Sequence, residues 1–334
     1  MKRIVLIAAA LVFSSMFAAG CADSSATIVS DDISAYEAEI TKGSNKTLMK
    51  IDGDQIPLSY ARVYILNYQN IYGRMYGADV MSNSAQAESF TDYVKDLSLT
   101  ALAKTYTMSL LATYQGITLG ADELSVISEA AAEYYSSLSE EEIEYLGVDE
   151  DDIGQLYKEY ALAQKVYDKI TESVNLEVSD DESRIMQAKQ IFVTSEEDAK
   201  SVAKALKKGS DFDVVAAQYN EADTVDVTFG RGDMPDEVIQ AAFELDDDEI
   251  SGKIETDDGY YFIKCVNKFD ESLSEERKTV IAKERKENAF NEVYDEFKAS
   301  ISSRIEASVW NSEALVSNEA LKSDSFFEVI DNIK

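Results

Sequence analysis

Histidine is missing from all 334 residues. Without an imidazole there is no Ser-His-Asp triad, no histidine general base and no His-ligated metal, which removes most hydrolase and many metalloenzyme mechanisms. Cysteine is nearly as scarce, with Cys21 and Cys265 alone. The first of these reads as a modification site, so a structural disulfide is not expected. Positive charge is also short: 31 basic residues face 64 acidic ones, for a formal charge of −33. A polyanion of this size repels phosphate backbones, and nucleic acid is excluded as a partner. What remains is ordinary globular composition, 45% apolar and 28% charged, which argues against both wholesale disorder and a multi-span membrane protein. The length suits two globular bodies better than one.

The amino terminus has the layout of an export signal. Lys2 and Arg3 give a positive start, Ile4 to Phe17 an apolar core, and Ala18-Ala19-Gly20-Cys21 the small residues a signal peptidase requires. This end resembles a lipobox, which implies that Cys21 is lipidated and anchors the mature chain to the outer face of the cell membrane. The alternative is an uncleaved membrane helix, but the apolar stretch is short of the roughly 20 residues that span a bilayer. Residues 1–20 are therefore expected to be a signal peptide and residues 21–46, rich in Ser, Thr, Ala and Asp, a flexible tether.

Beyond the tether, Leu48 to Ile51, Asp52-Gly53-Asp54 and Gln55 to Leu58 predict a hairpin. Helical spacing then recurs. It appears from Ser59 through Ile71, from Phe90 to Leu111, from Asp122 to about Leu138, and from Ile153 to Ile170. Residues 47–180 are expected to form a helical lobe. The pattern changes at Met186, where a β-rich run opens a β-α-α-β-α-β order ending in a strand over Gly259 to Val266. A further helix is predicted from Ser274 to Lys298, and the tail holding Trp310 and Phe326-Phe327 has no assignment. The fold class expected is α+β, with a helical lobe beside a small antiparallel-sheet domain.

Residues 184–269 carry a resemblance. Ala188-Lys189-Gln190-Ile191-Phe192, Gly209-Ser210-Asp211-Phe212, Ala216-Ala217-Gln218-Tyr219, Phe229-Gly230-Arg231-Gly232-Asp233-Met234, Ala241-Ala242-Phe243-Glu244-Leu245, Glu249-Ile250-Ser251-Gly252 and Gly259-Tyr260-Tyr261-Phe262-Ile263-Lys264 follow in order. Each is a weak match alone; together, across about 80 residues, they are a specific one. The segment resembles the parvulin family of peptidyl-prolyl cis/trans isomerases. With its lipobox and helical lobe, the chain resembles the extracytoplasmic foldases of the PrsA and SurA group. The resemblance implies that residues 270–334 return to the helical lobe. It implies a proline slot lined by Met234, Val238, Phe243 and Phe229, and a polar catalytic set at Gln190, Asp223 and Tyr261. The two family histidines fall on Gln190 and Tyr261, and a family Asp or Cys falls around Ala222 or Asp223.

Three functions compete at this point: an isomerase foldase, a holdase chaperone on the same fold, and a solute-binding lipoprotein. Expected partners are unfolded exported proteins and the membrane; no cofactor or metal is expected, and a homodimer is left open. Asp149, Asp151 and Gly154 have part of a calcium-loop spacing, but Ile153 and Tyr160 occupy ligand positions, so a helix start is expected instead. Tyr64, Tyr68 and Tyr72 share a helical face and are expected in the lobe's core.

Overall fold

At Asp52-Gly53 the backbone takes positive φ at two successive positions, 48° and 98°. That is the geometry of a tight hairpin whose twist suits its strands, and Gly carries the second position without a steric cost. It joins β1 (Thr47–Ile51) to β2 (Asp54–Pro57). The computed structural model describes residues 46–76, 84–316 and 320–332; Cys21 and the segment expected to be signal and tether lie outside these. The chain divides into two units, Met1–Glu172 with Ala289–Lys334, and Ser173–Asn288.

The first unit is helical. After the hairpin come α1 (Leu58–Tyr76), α2 (Ser84–Tyr114), α3 (Ala121–Ser137), α4 (Glu140–Leu146) and α5 (Glu150–Thr171). Local chemistry sets their ends. Ser139 and Asp149 each cap a helix by accepting the backbone N–H three residues on, and Gly147 closes α4 in the left-handed region at φ 66°. The Asp149 segment is thus a capped helix start, and its carboxylate is spent on the backbone. Tyr64 and Tyr68 are buried and Tyr72 half-buried among the helices. The chain re-enters this unit at Ala289, within the long helix α10 (Glu271–Ser300), whose Phe290 ring lies 5.2 Å from that of Tyr167. Strand β7 (Ser303–Ile305) then pairs antiparallel with β1, giving a sheet ordered β2-β1-β7. The tail, for which the sequence offers no placement, supplies α11 (Ala307–Asn311) and α12 (Phe326–Asn332), and buries Trp310, Phe326 and Phe327 in the same core.

The second unit is wider at both ends than the expected 184–269. A short helix α6 (Asp180–Ser183) precedes a four-stranded antiparallel sheet ordered β4-β3-β6-β5. The strands are β3 (Ile185–Val193), β4 (Asp226–Gly230), β5 (Ile254–Thr256) and β6 (Gly259–Asn267). Because side chains alternate across a strand, β3 and β6 feed two cores. Ile191, Val193 and Phe262 pack under α7 (Glu196–Lys207) and α8 (Phe212–Tyr219). Met186, Ala188, Ile263 and Cys265 face the other way, toward α9 (Asp236–Phe243). Architecture is thus α+β, a helical body and a small antiparallel-sheet body, and not the paired α/β lobes of a solute-binding protein.

Candidate functional site

The register of β3 and β6 decides which polar side chains meet. Gln190 stands opposite Ile263, and Tyr261 stands opposite Phe192. Gln190 and Tyr261 are therefore diagonal neighbours on adjacent strands and on one face, about 7–8 Å apart in such a pair and somewhat less between Cβ atoms. That face is the one covered by α9, where Tyr261 packs on the cluster built from Met186, Val238 and Ile263. The Tyr261 ring lies 4.7 Å from Phe192 at a tilt of 42°. Burial, with a smaller contribution from Asp258, raises the Tyr261 hydroxyl above its ordinary pKa, so it is a neutral donor at neutral pH.

Gln190 is buried and fully engaged on one side. Its Nε2 donates to the Thr224 carbonyl at 3.1 Å while its own backbone N–H donates to Val225 at 2.8 Å. These bonds tie β3 to the loop that carries Asp223. The same loop is organised by Asn220, whose Oδ1 accepts from the Phe192 N–H at 2.9 Å and whose Nδ2 donates to the Ala222 carbonyl at 3.0 Å. Glu221 completes the stitch by accepting from the Thr194 hydroxyl at 2.8 Å. Asp223 itself is exposed on this loop. Asn220 and Phe192 are not singled out by sequence reasoning; an Asn directly after a short helix, where it can bond the turn that follows, is the one signal that could have marked the first.

The apolar residues assigned to the slot divide into two kinds. Val238 and Phe229 lie within the core cluster at 0% and 2% exposure, so their side chains support the surface from beneath. Met234 and Phe243 pack on the outside of that cluster and remain partly exposed. Phe243 is not beside Gln190. Its carbonyl accepts from Arg184 Nη1 at 2.8 Å, and its ring lies under the Arg184 and Arg231 guanidinium groups at 4.5 Å and 5.2 Å. Arg184 precedes β3 by one residue, and six strand positions to Gln190 correspond to about 20 Å. An open depression of about 320 Å³ lies at that far end, lined by Arg184, Phe243, Leu245, Lys268 and Phe269 with acidic residues around them. Cys265 is buried, and burial together with Asp247 pushes its thiol up to about 11, so it stays protonated and unreactive.

Chemically, the Gln190 and Tyr261 end offers neutral hydrogen-bonding groups beside apolar walls. Rotation of an X-Pro amide asks for no more than that. Its barrier of about 18–20 kcal/mol comes from lost resonance, and a surface that suits the twisted amide better than the planar one lowers it.

Residues 164–278 match the PPIC-type PPIASE domain family model. The foldase protein PrsA of Caldanaerobacter subterraneus subsp. tengcongensis is 26% identical over 308 residues, covering 89% of this chain and 94% of that protein. The foldase protein PrsA of Geobacillus kaustophilus is 35% identical over 126 residues, covering 36% of this chain and 45% of its own. The crystal structure of a peptidylprolyl isomerase (PrsA) from Bacillus cereus aligns at a TM-score of 0.35 and 22% identity, over 69% of this chain and 91% of that one. With the four-stranded sheet inside the matched segment, residues 164–278 carry a PPIC-type PPIase domain, and over most of its length the chain is similar to a PrsA foldase.

Proposed function

We propose that this chain is an extracytoplasmic foldase, held at the outer face of the cell membrane by a lipid on Cys21, whose sheet unit assists X-Pro isomerisation in exported proteins. The observation that carries the reading is the shared face of Gln190 and Tyr261 beside the apolar cluster of α9. In this mechanism the prolyl ring rests against Met234, and Tyr261 donates a hydrogen bond to the twisting amide. Gln190 holds the Asp223 loop in place through the Thr224 carbonyl. The lipid anchor rests on the order Lys2-Arg3, apolar core, Ala18-Ala19-Gly20-Cys21. The unfolded client is the partner, and no cofactor takes part.

The test is the slow, proline-limited phase of a refolding substrate, which runs over tens to hundreds of seconds uncatalysed. The full chain accelerates it, and Met234→Ala reduces that acceleration roughly tenfold through loss of about 1.5 kcal/mol of apolar contact. An unchanged slow phase beside suppressed aggregation replaces this reading with the second one, a holdase on the same fold. That second reading is favoured by Val238, whose fully buried side chain offers no exposed wall to a prolyl ring. For the anchor, Cys21→Ser moves the chain from the membrane fraction to the medium; retention of the variant in the membrane rejects it.

A further inference from the structure

Residues 231–235 join β4 to α9 and carry Met234, the partly exposed apolar residue against which the prolyl ring is placed. A methionine side chain turns about three bonds, so where it lies is set first by its backbone. That backbone is bracketed. On one side Pro235, with φ −51°, restricts Met234 to extended conformations. On the other, Asp233 closes a turn on Gly230. Its Oδ2 accepts the Gly230 N–H at 2.7 Å and its own N–H donates to the Gly230 carbonyl at 3.3 Å, with Gly232 between them at φ 85°. The place of Met234 therefore follows the place of Asp233.

What holds Asp233 comes from beyond the expected 184–269. The start of α10 is set on the sheet by the Ile185 N–H, which donates to Ser274 Oγ at 3.0 Å, and by Gln187 Nε2, which donates to Asp270 Oδ2 at 2.6 Å. One turn after Ser274, Arg277 meets the loop. Its Nη1 donates to Asp233 Oδ2 at 3.0 Å and its Nη2 to the Arg231 carbonyl at 2.6 Å. The guanidinium also lies against Gly230, where an added Cβ would come within 3.1 Å of its central carbon. The planar fork thus grips the turn at two points, a geometry that the compact ammonium of a lysine does not reproduce. Its Nε is buried and has no hydrogen-bond partner among the described residues, a cost borne by a group placed for the loop and not for its own bonds. Arg277 and Asp233 are 26% and 44% exposed, so the pair adds little to unfolding stability and its effect is on position.

We infer that Arg277 is a positioning residue for X-Pro isomerisation: from the helix that follows the sheet it fixes the turn from Gly230 to Asp233 and so holds Met234 as the wall of the prolyl slot. Arg277 acts through Asp233 and Met234 and is not a catalytic residue. The role of Met234 comes from the isomerase reading, on which this assignment rests; the dependence of that role on Arg277 is carried by the two hydrogen bonds to the loop.

The test is a cycle in the full chain, with Arg277→Ala, Met234→Ala and the double variant read by their acceleration of a proline-limited refolding phase. Arg277→Ala lowers the acceleration by a factor between about three and the roughly tenfold of Met234→Ala. The double variant is no slower than Met234→Ala alone, because once the wall is gone its placement has no further effect. Losses that multiply, or an Arg277→Ala variant as fast as the unaltered chain, overturn the proposal. Should Arg277→Ala lose its circular dichroism, Asp233→Asn takes its place in the cycle, since it keeps an acceptor for the Gly230 N–H and removes the charge facing Arg277. The NMR signal of the Met234 ε-methyl reads placement without reference to activity. It moves in Arg277→Ala and in Asp233→Asn, while that of Met186, fully buried in the core, stays; an unmoved Met234 signal overturns the proposal. An unaltered chain that leaves the slow phase unchanged rejects the isomerase reading, and the methyl signal then decides by itself whether Arg277 places Met234.

Discussion

The Arg62 and Glu313 pair joins α1 to the tail, and its removal gives a sharp test of what holds the two together. The guanidinium Nε and Nη2 donate to the two carboxylate oxygens at 2.8 Å and 2.9 Å, with the side chains only 10% and 7% exposed. Arg62 Nη1 also donates to the Tyr145 carbonyl at 3.2 Å, and its guanidinium carbon stands 5.5 Å from the Tyr145 ring centre. Changing Glu313→Leu leaves that cation buried without its counter-ion, a loss of about 3–5 kcal/mol where nothing else compensates. Here the Tyr145 carbonyl and ring retain about 1–1.5 kcal/mol of interaction, so the expected loss is about 2–3 kcal/mol. With a urea dependence of about 2–3 kcal/mol per molar, the midpoint for the helical unit falls by about 1 M. The companion change Arg62→Met restores most of it, because an apolar pair of similar volume avoids the desolvation of both charges. Urea unfolding followed by the fluorescence of Trp310 reads all four members of the cycle. A double variant as unstable as the sum of the two single ones means that the pair does not couple, and the argument fails.

Gly259→Ala should lower the stability of the sheet unit by about 2–4 kcal/mol, read by amide exchange along β6. The backbone there has φ 152°, and an added Cβ would lie 2.6 Å from the Val193 carbonyl and 2.8 Å from the Phe192 ring. Burial raises the pKa of Glu159, against hydrogen bonds from Ser109 and Gln155 that lower it. A carboxyl raised in the folded state adds stability below its unfolded pKa and loses it as pH rises through the folded value. Glu159→Gln should therefore remove a decline in the helical unit's urea midpoint just above the ordinary carboxylate range; an unchanged pH profile rejects the assignment. Restoring the family's residues, Gln190→His with Tyr261→His, should increase acceleration of proline-limited refolding over the unaltered chain, and an equal or lower rate would separate these positions from catalysis.

Much of the local structure was readable from residue order, for reasons that are themselves local. Asp52-Gly53 between two apolar runs admits a tight hairpin, and the acidic starts after Gly120 and at Asp149 mark helix ends that the backbone then takes. Alternation along residues 186–193 and 259–266 gave the central strands their two faces. The short helix α4 escaped because seven residues are too few to display a period, and only its Ser139 cap announces it. The sequence places Gln190 and Tyr261 on two strands, and the register sets them on one face of the sheet. Phe243, grouped with them by resemblance, is drawn to the far end of the unit by Arg184 and Arg231, an attraction between residues distant in the chain that no spacing encodes.

Composition and periodicity by themselves determined that no histidine chemistry is available, that the charge repels nucleic acid, and that a helical stretch precedes a small antiparallel one. These follow from properties each residue carries alone or shares with near neighbours. Only the tertiary structure decided that Val238 and Phe229 lie beneath the surface, that Asn220 fastens the Asp223 loop, and that Phe326 and Phe327 fill a pocket of tyrosines drawn from separate helices. Those outcomes depend on which distant segments meet, and the meeting is set by the summed burial of the whole chain.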